Sequence, residues 1–309
     1  MIRTQKHEAP AAVPNRGLRE SIAALARGAS IETSTKNLAE VDTYASLLPA
    51  GTDVFATWIP GTPWHHIVSV ATRLRLAGMN PVPHIAARVL TDPVTAAEFL
   101  ARLRDEARVT LALVIGGDSE LIGPYASSLM LIESGILQAH GIRSIGIAGY
   151  PEGHSCIGAA ALMAALDAKI AYARRHDIEL FIVSQFCFDG QAVVDWLQQL
   201  RARGVLLPVR VGVAGPTTVR KLMNYALRCG IGNSIRKLGS HAISLTYLIG
   251  QHGPEKVVRR VAASEAGLNI SGLHCFPFGG FAQTAYWIDN VAAGRFQLDE
   301  ADESFRLES

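Results

Sequence analysis

The chain has 309 residues, 49% of them hydrophobic and 18% charged, a globular composition that excludes a disordered or fibrous polypeptide. Its 29 Lys and Arg against 27 Asp and Glu leave no charge excess able to hold a nucleic acid, and the basic residues are dispersed. No apolar run approaches the ~18 residues of a membrane span, so neither a nucleic acid nor a membrane is expected as a partner. Residues 1–17, MIRTQKHEAPAAVPNRG, lack the apolar centre of a signal peptide and read as a flexible leading segment. A short helix is predicted over 18–27, LRESIAALAR. Then β-rich runs alternate with helical patterns. The runs are ASIETS (29–34), DVFATW (53–58), NPVPHIAA (80–87), VTLALVIGG (109–117), RSIGIAGY (143–150), ELFIVSQFCF (179–188), LLPVRVGVA (206–214) and ISGLHCFPF (270–278). Helices are predicted over 37–48, 63–78, 92–107, 124–139, 155–176, 190–203 and 216–268, the last interrupted by CGIGNS and GQHGPE. The acidic end, 298–309, shows poor periodicity and is expected to be frayed or solvated.

Eight strands, each separated from the next by helix and reading as a continuous apolar run, predict parallel strands buried on both faces. The fold class is α/β: a single (β/α)8 TIM barrel over 18–297, with extra helices near the C-terminus. An open doubly wound sheet is the alternative, but it usually carries GxGxxG after its first strand, and none occurs.

Cys156, Cys187, Cys229 and Cys275 are widely spaced and form no CxxC, which predicts reduced cysteines, no zinc knuckle and a cytoplasmic protein. No His, Asp or Glu set has metal-ligand spacing, and no GxSxG elbow marks a serine hydrolase.

A barrel places its active site at the C-terminal ends of its strands. There the sequence offers Glu32, then Thr57 and Trp58, His84, Gly117 and Asp118, Tyr150, Glu152 and His154, and Gln185 with Phe188. Each has a bland reading: Glu32 as a rim carboxylate in an ion pair, His84 as a packed histidine, Asp118 as a turn cap. Gln185 sits inside an apolar run, where a buried amide needs partners and a ligand is a natural one. The recurrence of polar groups at one end of nearly every strand points to a cleft.

In order, VPHIAAR, GGDSE, PYASSL, IAGYPEGH and SQFCFD resemble the motifs of the methylenetetrahydrofolate reductase family, from residue 29 to 190 and more weakly beyond. The resemblance implies FAD at the C-terminal end of the barrel, NADH or NADPH as hydride donor, and interconversion of 5,10-methylenetetrahydrofolate and 5-methyltetrahydrofolate. By the resemblance, Glu32 is the general acid that opens the methylene-bridged ring. It would need a raised pKa, which an apolar barrel mouth can supply. Asp118 lies near flavin and pterin, and Gln185 bonds the pterin. Thr57, His84, Gly117, Tyr125, Ala126, Tyr150 and His154 contact the flavin, and Glu152 holds its loop.

Three departures stand out. Gly116 occupies a position where the family commonly has Arg. The helix ALMAALDAKIAYARRHD (161–177) is largely alanine, with Lys169 as its surviving basic residue toward the cofactor. No arginine occurs in FPFGGFAQ (276–283), where the family has a folate contact. FAD is therefore expected to bind weakly. Other readings are direct hydride transfer to the same folate without flavin, and a folate-binding protein without redox activity. A homo-oligomer is expected.

Overall fold

The computed structural model describes residues 17–218, 251–264, 269–278 and 280–308. The expectation for 1–16 and most of the helical pattern expected over 216–268 lie outside these residues, as does Cys229.

Chain order begins with α1 (Leu18–Arg27), β1 (Ser30–Ser34) and a 3-10 helix (Thr35–Ser46). It continues with β2 (Asp53–Thr57), α2 (Trp64–Leu76), β3 (Asn80–Ala86), α3 (Pro93–Ala107) and β4 (Leu111–Ile115). Next come α4 (Ser128–Glu133), α5 (Ile136–Ala139), β5 (Ser144–Gly149), α6 (Ala159–Arg175), β6 (Glu179–Ser184), α7 (Gly190–Ala202) and β7 (Val209–Ala214). Two-residue strands β8 (Thr217–Thr218) and β9 (Gln251–His252) pair antiparallel. They are followed by α8 (Glu255–Ala263), β10 (Ile270–Phe276), α9 (Phe281–Ala292), β11 (Phe296–Asp299) and β12 (Ser304–Leu307).

Eight strands close a barrel in the order β1-β10-β7-β6-β5-β4-β3-β2, and every neighbouring pair is parallel. The predicted (β/α)8 barrel is the observed fold. Alternation along the strands separates two cores. Outward residues such as Ile31, Val54, Ile85, Val114, Ile147, Ile182, Val211 and Cys275 join the helices in the larger apolar cluster. Phe55, Val82, Leu113, Phe181 and Val183 form a second cluster that fills the interior. Gly146 makes room for it, because a Cβ there would sit 2.6 Å from the ring of Phe181. Burying each large side chain of this kind contributes ~1.5–3 kcal/mol.

Local chemistry fixes several helix ends. Asp92 caps α3 by accepting from the Thr95 backbone N–H at 2.8 Å, with Pro93 in the first turn. Asp189 caps α7 through the Gln191 and Ala192 N–H groups at 2.9 and 3.1 Å.

Three expectations are corrected. The helix expected over 37–48 is a 3-10 helix. The helix expected over 124–139 is two short ones, α4 and α5, broken at Gly135 with φ +73°. The end expected to fray is a hairpin of β11 and β12. Its Phe296 and Phe305 are buried with rings 4.8 Å apart, and Arg259 donates to the carbonyls of Asp299 and Ser304, both at 2.8 Å. The acidic residues that suggested a solvated tail lie at its turn, while two aromatics anchor it.

Candidate functional site

The strands bring one carboxylate and two imidazoles together inside the barrel. Glu32 projects from β1, His84 from β3 and His274 from β10. Glu32 Oε2 accepts from the Thr57 hydroxyl at 3.0 Å, and Glu32 Oε1 accepts from His274 Nε2 at 3.3 Å. His84 Nε2 lies 3.3 Å from that same Oε1 yet makes no hydrogen bond, so its contact is electrostatic and its ring nitrogen is buried without a donor–acceptor partner. Behind His274, Nδ1 faces the Ser30 hydroxyl at 2.8 Å, and that hydroxyl also lies 3.3 Å from the Leu273 carbonyl. Phe55 and Phe276 pack edge-on against the His274 ring at 4.4 and 4.8 Å.

The expected raised pKa of Glu32 is corrected. Burial pushes it up, but the His274 hydrogen bond and the nearby His84 outweigh burial and bring it down to about 2. The resting carboxyl is an anion. Burial lowers the pKa of His274, opposed by Glu32. Beneath the cluster, Arg210 of β7 pairs with Asp53 of β2 and lies over the rings of Phe55 and Phe181.

Thr57 ends β2, and His84 lies within β3 rather than after it. Gly117 and Asp118 follow β4; Gly117 has φ +90° and would bring a Cβ to 3.3 Å from Ala86, which favours glycine there. Asp118 is exposed, and its charge adds to burial in raising the pKa of the half-buried Tyr150. Tyr150 meets His154 edge-to-face at 5.1 Å, and His154 Nδ1 accepts from the Cys156 N–H at 3.1 Å. Glu152 holds its loop as expected: its Oε1 accepts from the Phe188 and Asp189 N–H groups, both at 2.8 Å. Gln185 follows β6 and is half-buried; its N–H bonds the Gly149 carbonyl at 2.9 Å, and its own carbonyl accepts from Ser184 Oγ at 2.9 Å. Tyr125 is buried within the main core and Ala126 is exposed. Lys169 is half-buried on α6, where burial pushes its pKa down.

Two functional candidates escaped the sequence reading. Ser30 and His274 are register partners in the β1–β10 pair. The signal available was the alternation Gly272, His274, Phe276, which puts His274 on the interior side of β10. Beside Gln185 an aromatic group also gathers: Phe186 lies 5.4 Å from Phe276 and 4.8 Å from Phe278. Among the described residues, no group of three His, Cys, Asp or Glu side chains has the geometry to hold a metal ion.

No protein-family model matches the chain. Among solved structures, it is similar to one designated a phosphonomutase from Burkholderia cenocepacia. Identity is 11%, coverage 90% of this chain and 100% of that one, and the TM-score 0.48. It is also similar to a sugar phosphate isomerase/epimerase from Parabacteroides distasonis, at 8% identity, over 83% of this chain and 96% of that one, with a TM-score of 0.39. At these values neither likeness bears on chemistry.

Proposed function

We propose that the protein is a methylenetetrahydrofolate reductase, interconverting 5,10-methylenetetrahydrofolate and 5-methyltetrahydrofolate with FAD and NADH or NADPH. One observation carries the reading: Glu32 stands inside the C-terminal half of the barrel, gripped by Thr57, His84 and His274 from three other strands. The resemblance places a proton donor at this position. Gln185 and Asp118, the residues assigned to the pterin, follow β6 and β4, the two strands that flank β5.

The residues fit the ring end of a flavin. Tyr150 and His154 offer an aromatic wall, and Thr57 offers a polar edge. They are sparse at the diphosphate end, where Ala159, Ala160 and Ala161 are exposed at the start of α6 and Lys169 is its one lysine. Bound flavin supplies hydride acceptance from a nicotinamide and donation to an electrophilic carbon. The chain's own part is to orient the folate through Gln185 and Asp118. It also brings a proton to the ring nitrogen through Glu32, so that the bridging C–N bond breaks with its electron pair going to nitrogen. The thin diphosphate end favours, as a second reading, direct hydride transfer to the same folate without flavin.

The test is anaerobic mixing of protein and FAD with NADH, followed by 5,10-methylenetetrahydrofolate. Bleaching of the ~450 nm flavin band by NADH and its return with folate is the expected result. Folate reduction without any flavin would establish the second reading, and no folate turnover in either case would refute both.

A further inference from the structure

Gln185 stands on a backbone whose N–H and carbonyl are both bonded, while its side-chain amide makes no hydrogen bond among the described residues. We propose that Ser184 and Cys187 are positioning residues that hold the Gln185 backbone, so that its amide meets the folate in one orientation. The identity of that ligand rests on the folate-reducing reading; the geometry of the hold does not.

The paired register of β6 and β7 ends at Val183 and Arg210. Beyond it a side chain enters between the two strands. The Gly212 N–H donates to Ser184 Oγ at 2.7 Å, and the Ser184 hydroxyl donates to the Gln185 carbonyl at 2.9 Å. The Cys187 thiol donates to the same carbonyl at 3.1 Å, which fills both lone pairs of that oxygen. Two further bonds fix the segment: the Gln185 N–H to the Gly149 carbonyl of β5 at 2.9 Å, and the Cys187 N–H to the Gly212 carbonyl at 3.2 Å. Gly212 has to be glycine for this. A Cβ there would lie 2.3 Å from the Ser184 carbonyl oxygen and 2.4 Å from that of Gln185, so the end of β6 rests directly on the backbone of β7. Phe181 and Val183 face the barrel interior, and strand alternation puts Gln185 on their side and Ser184 on the other.

Ser184 and Cys187 are buried, so a donor deleted from either is not replaced by bulk water. Burial pushes the Cys187 thiol well up, with Glu152 and Asp189 adding to it, so the sulfur keeps the proton it donates. A glutamine amide carries its donor and its acceptor at opposite ends of one plane. A ring edge that presents both is read in one orientation only, and every freedom lost on binding weakens the contact. With the base held, only the side-chain rotors of Gln185 remain to be ordered. Alanine at 187 removes one donor. Alanine at 184 removes a donor and leaves the Gly212 N–H without its acceptor, which makes it the more severe change.

The test has a readout without substrate and one with it. In unliganded protein, amide hydrogen exchange at Gln185 and Gly212 should be ~10-fold faster or more in Ser184→Ala, with the N–H groups of β2 unchanged to show that the barrel is intact. Cys187→Ala should speed Gln185 alone. Cys187→Ser, which loses the sulfur but keeps a donor, should restore it; this pair carries the test if Ser184→Ala does not fold. In kinetics, KM for 5,10-methylenetetrahydrofolate should rise roughly 5- to 20-fold in Ser184→Ala and roughly 3- to 10-fold in Cys187→Ala, with recovery in Cys187→Ser. Neither alanine should add to the loss in Gln185→Ala, because residues that act through Gln185 have nothing left to position. Exchange unmoved in both alanine variants, or kinetic losses that add to that of Gln185→Ala, would overturn the proposal. Faster exchange reversed by Cys187→Ser, in a protein that does not turn over folate, would uphold the hold on Gln185 and refute the reading of what it meets.

Discussion

Replacing Glu32 with Gln should change how stability depends on pH, by an amount the site sets. The carboxyl has a native pKa of about 2 against an ordinary value of 4.5. Each unit of difference corresponds to about 1.4 kcal/mol, so the ionised form contributes on the order of 3 kcal/mol to folding. The sign follows from the depression. The contribution is complete above the unfolded pKa and is lost as pH falls toward the folded one. Gln keeps the volume and can still accept from His274, but it cannot titrate. The stability gap between wild type and Glu32→Gln should therefore be full near pH 6 and shrink by about 2 kcal/mol on reaching pH 3. Urea unfolding followed by circular dichroism measures both proteins across that range. A gap that is constant with pH would refute the reasoning, because it would mean the carboxyl titrates alike in the folded and unfolded chain. A wild type that gains on Glu32→Gln as pH falls would instead show the raised pKa that an apolar barrel mouth suggests.

Gln185→Ala should lower kcat/KM for the folate by the equivalent of ~1–3 kcal/mol, and leave NADH oxidation by an artificial acceptor little changed. Titration of flavin-free protein with FAD, followed by flavin fluorescence, should give a dissociation constant well above nanomolar. One missing charge-assisted phosphate contact at Gly116 costs about 1.5–3 kcal/mol, and nanomolar binding would show that backbone N–H groups replace it.

The barrel was legible because its strands are buried on both faces and read as apolar runs, so order alone gave the topology. Glu32, Thr57 and His84 were legible as strand-end polar groups, and the structure joins them in one cluster. His274 was not, although it sits in one of the eight predicted runs. Its significance lies in its register partner Ser30 and in Glu32, 242 residues away along the chain. Linear spacing carries no sign of such a pairing across the closing seam of a barrel. The charge state of Glu32 escaped for the same reason: burial is readable from sequence, while two imidazoles at one oxygen are not. The C-terminal hairpin was misread because charge at its turn hid Phe296 and Phe305, two aromatics nine residues apart that bury against the helices.

Below the Glu32 cluster, Phe55 and Phe181 close the barrel, and the Arg210–Asp53 pair seals the space beneath them. His274 has no surface of its own and His84 almost none, so of these three groups Glu32 is the one a ligand can reach. Under the proposed reaction, the hydride donor and the folate must then approach from the same side and in turn. Such a site has no need of a separate nucleotide fold, which accords with a chain that has no GxGxxG. It does need a proton source already inside when the folate arrives, because a folate lying over Glu32 covers the path by which water would bring one.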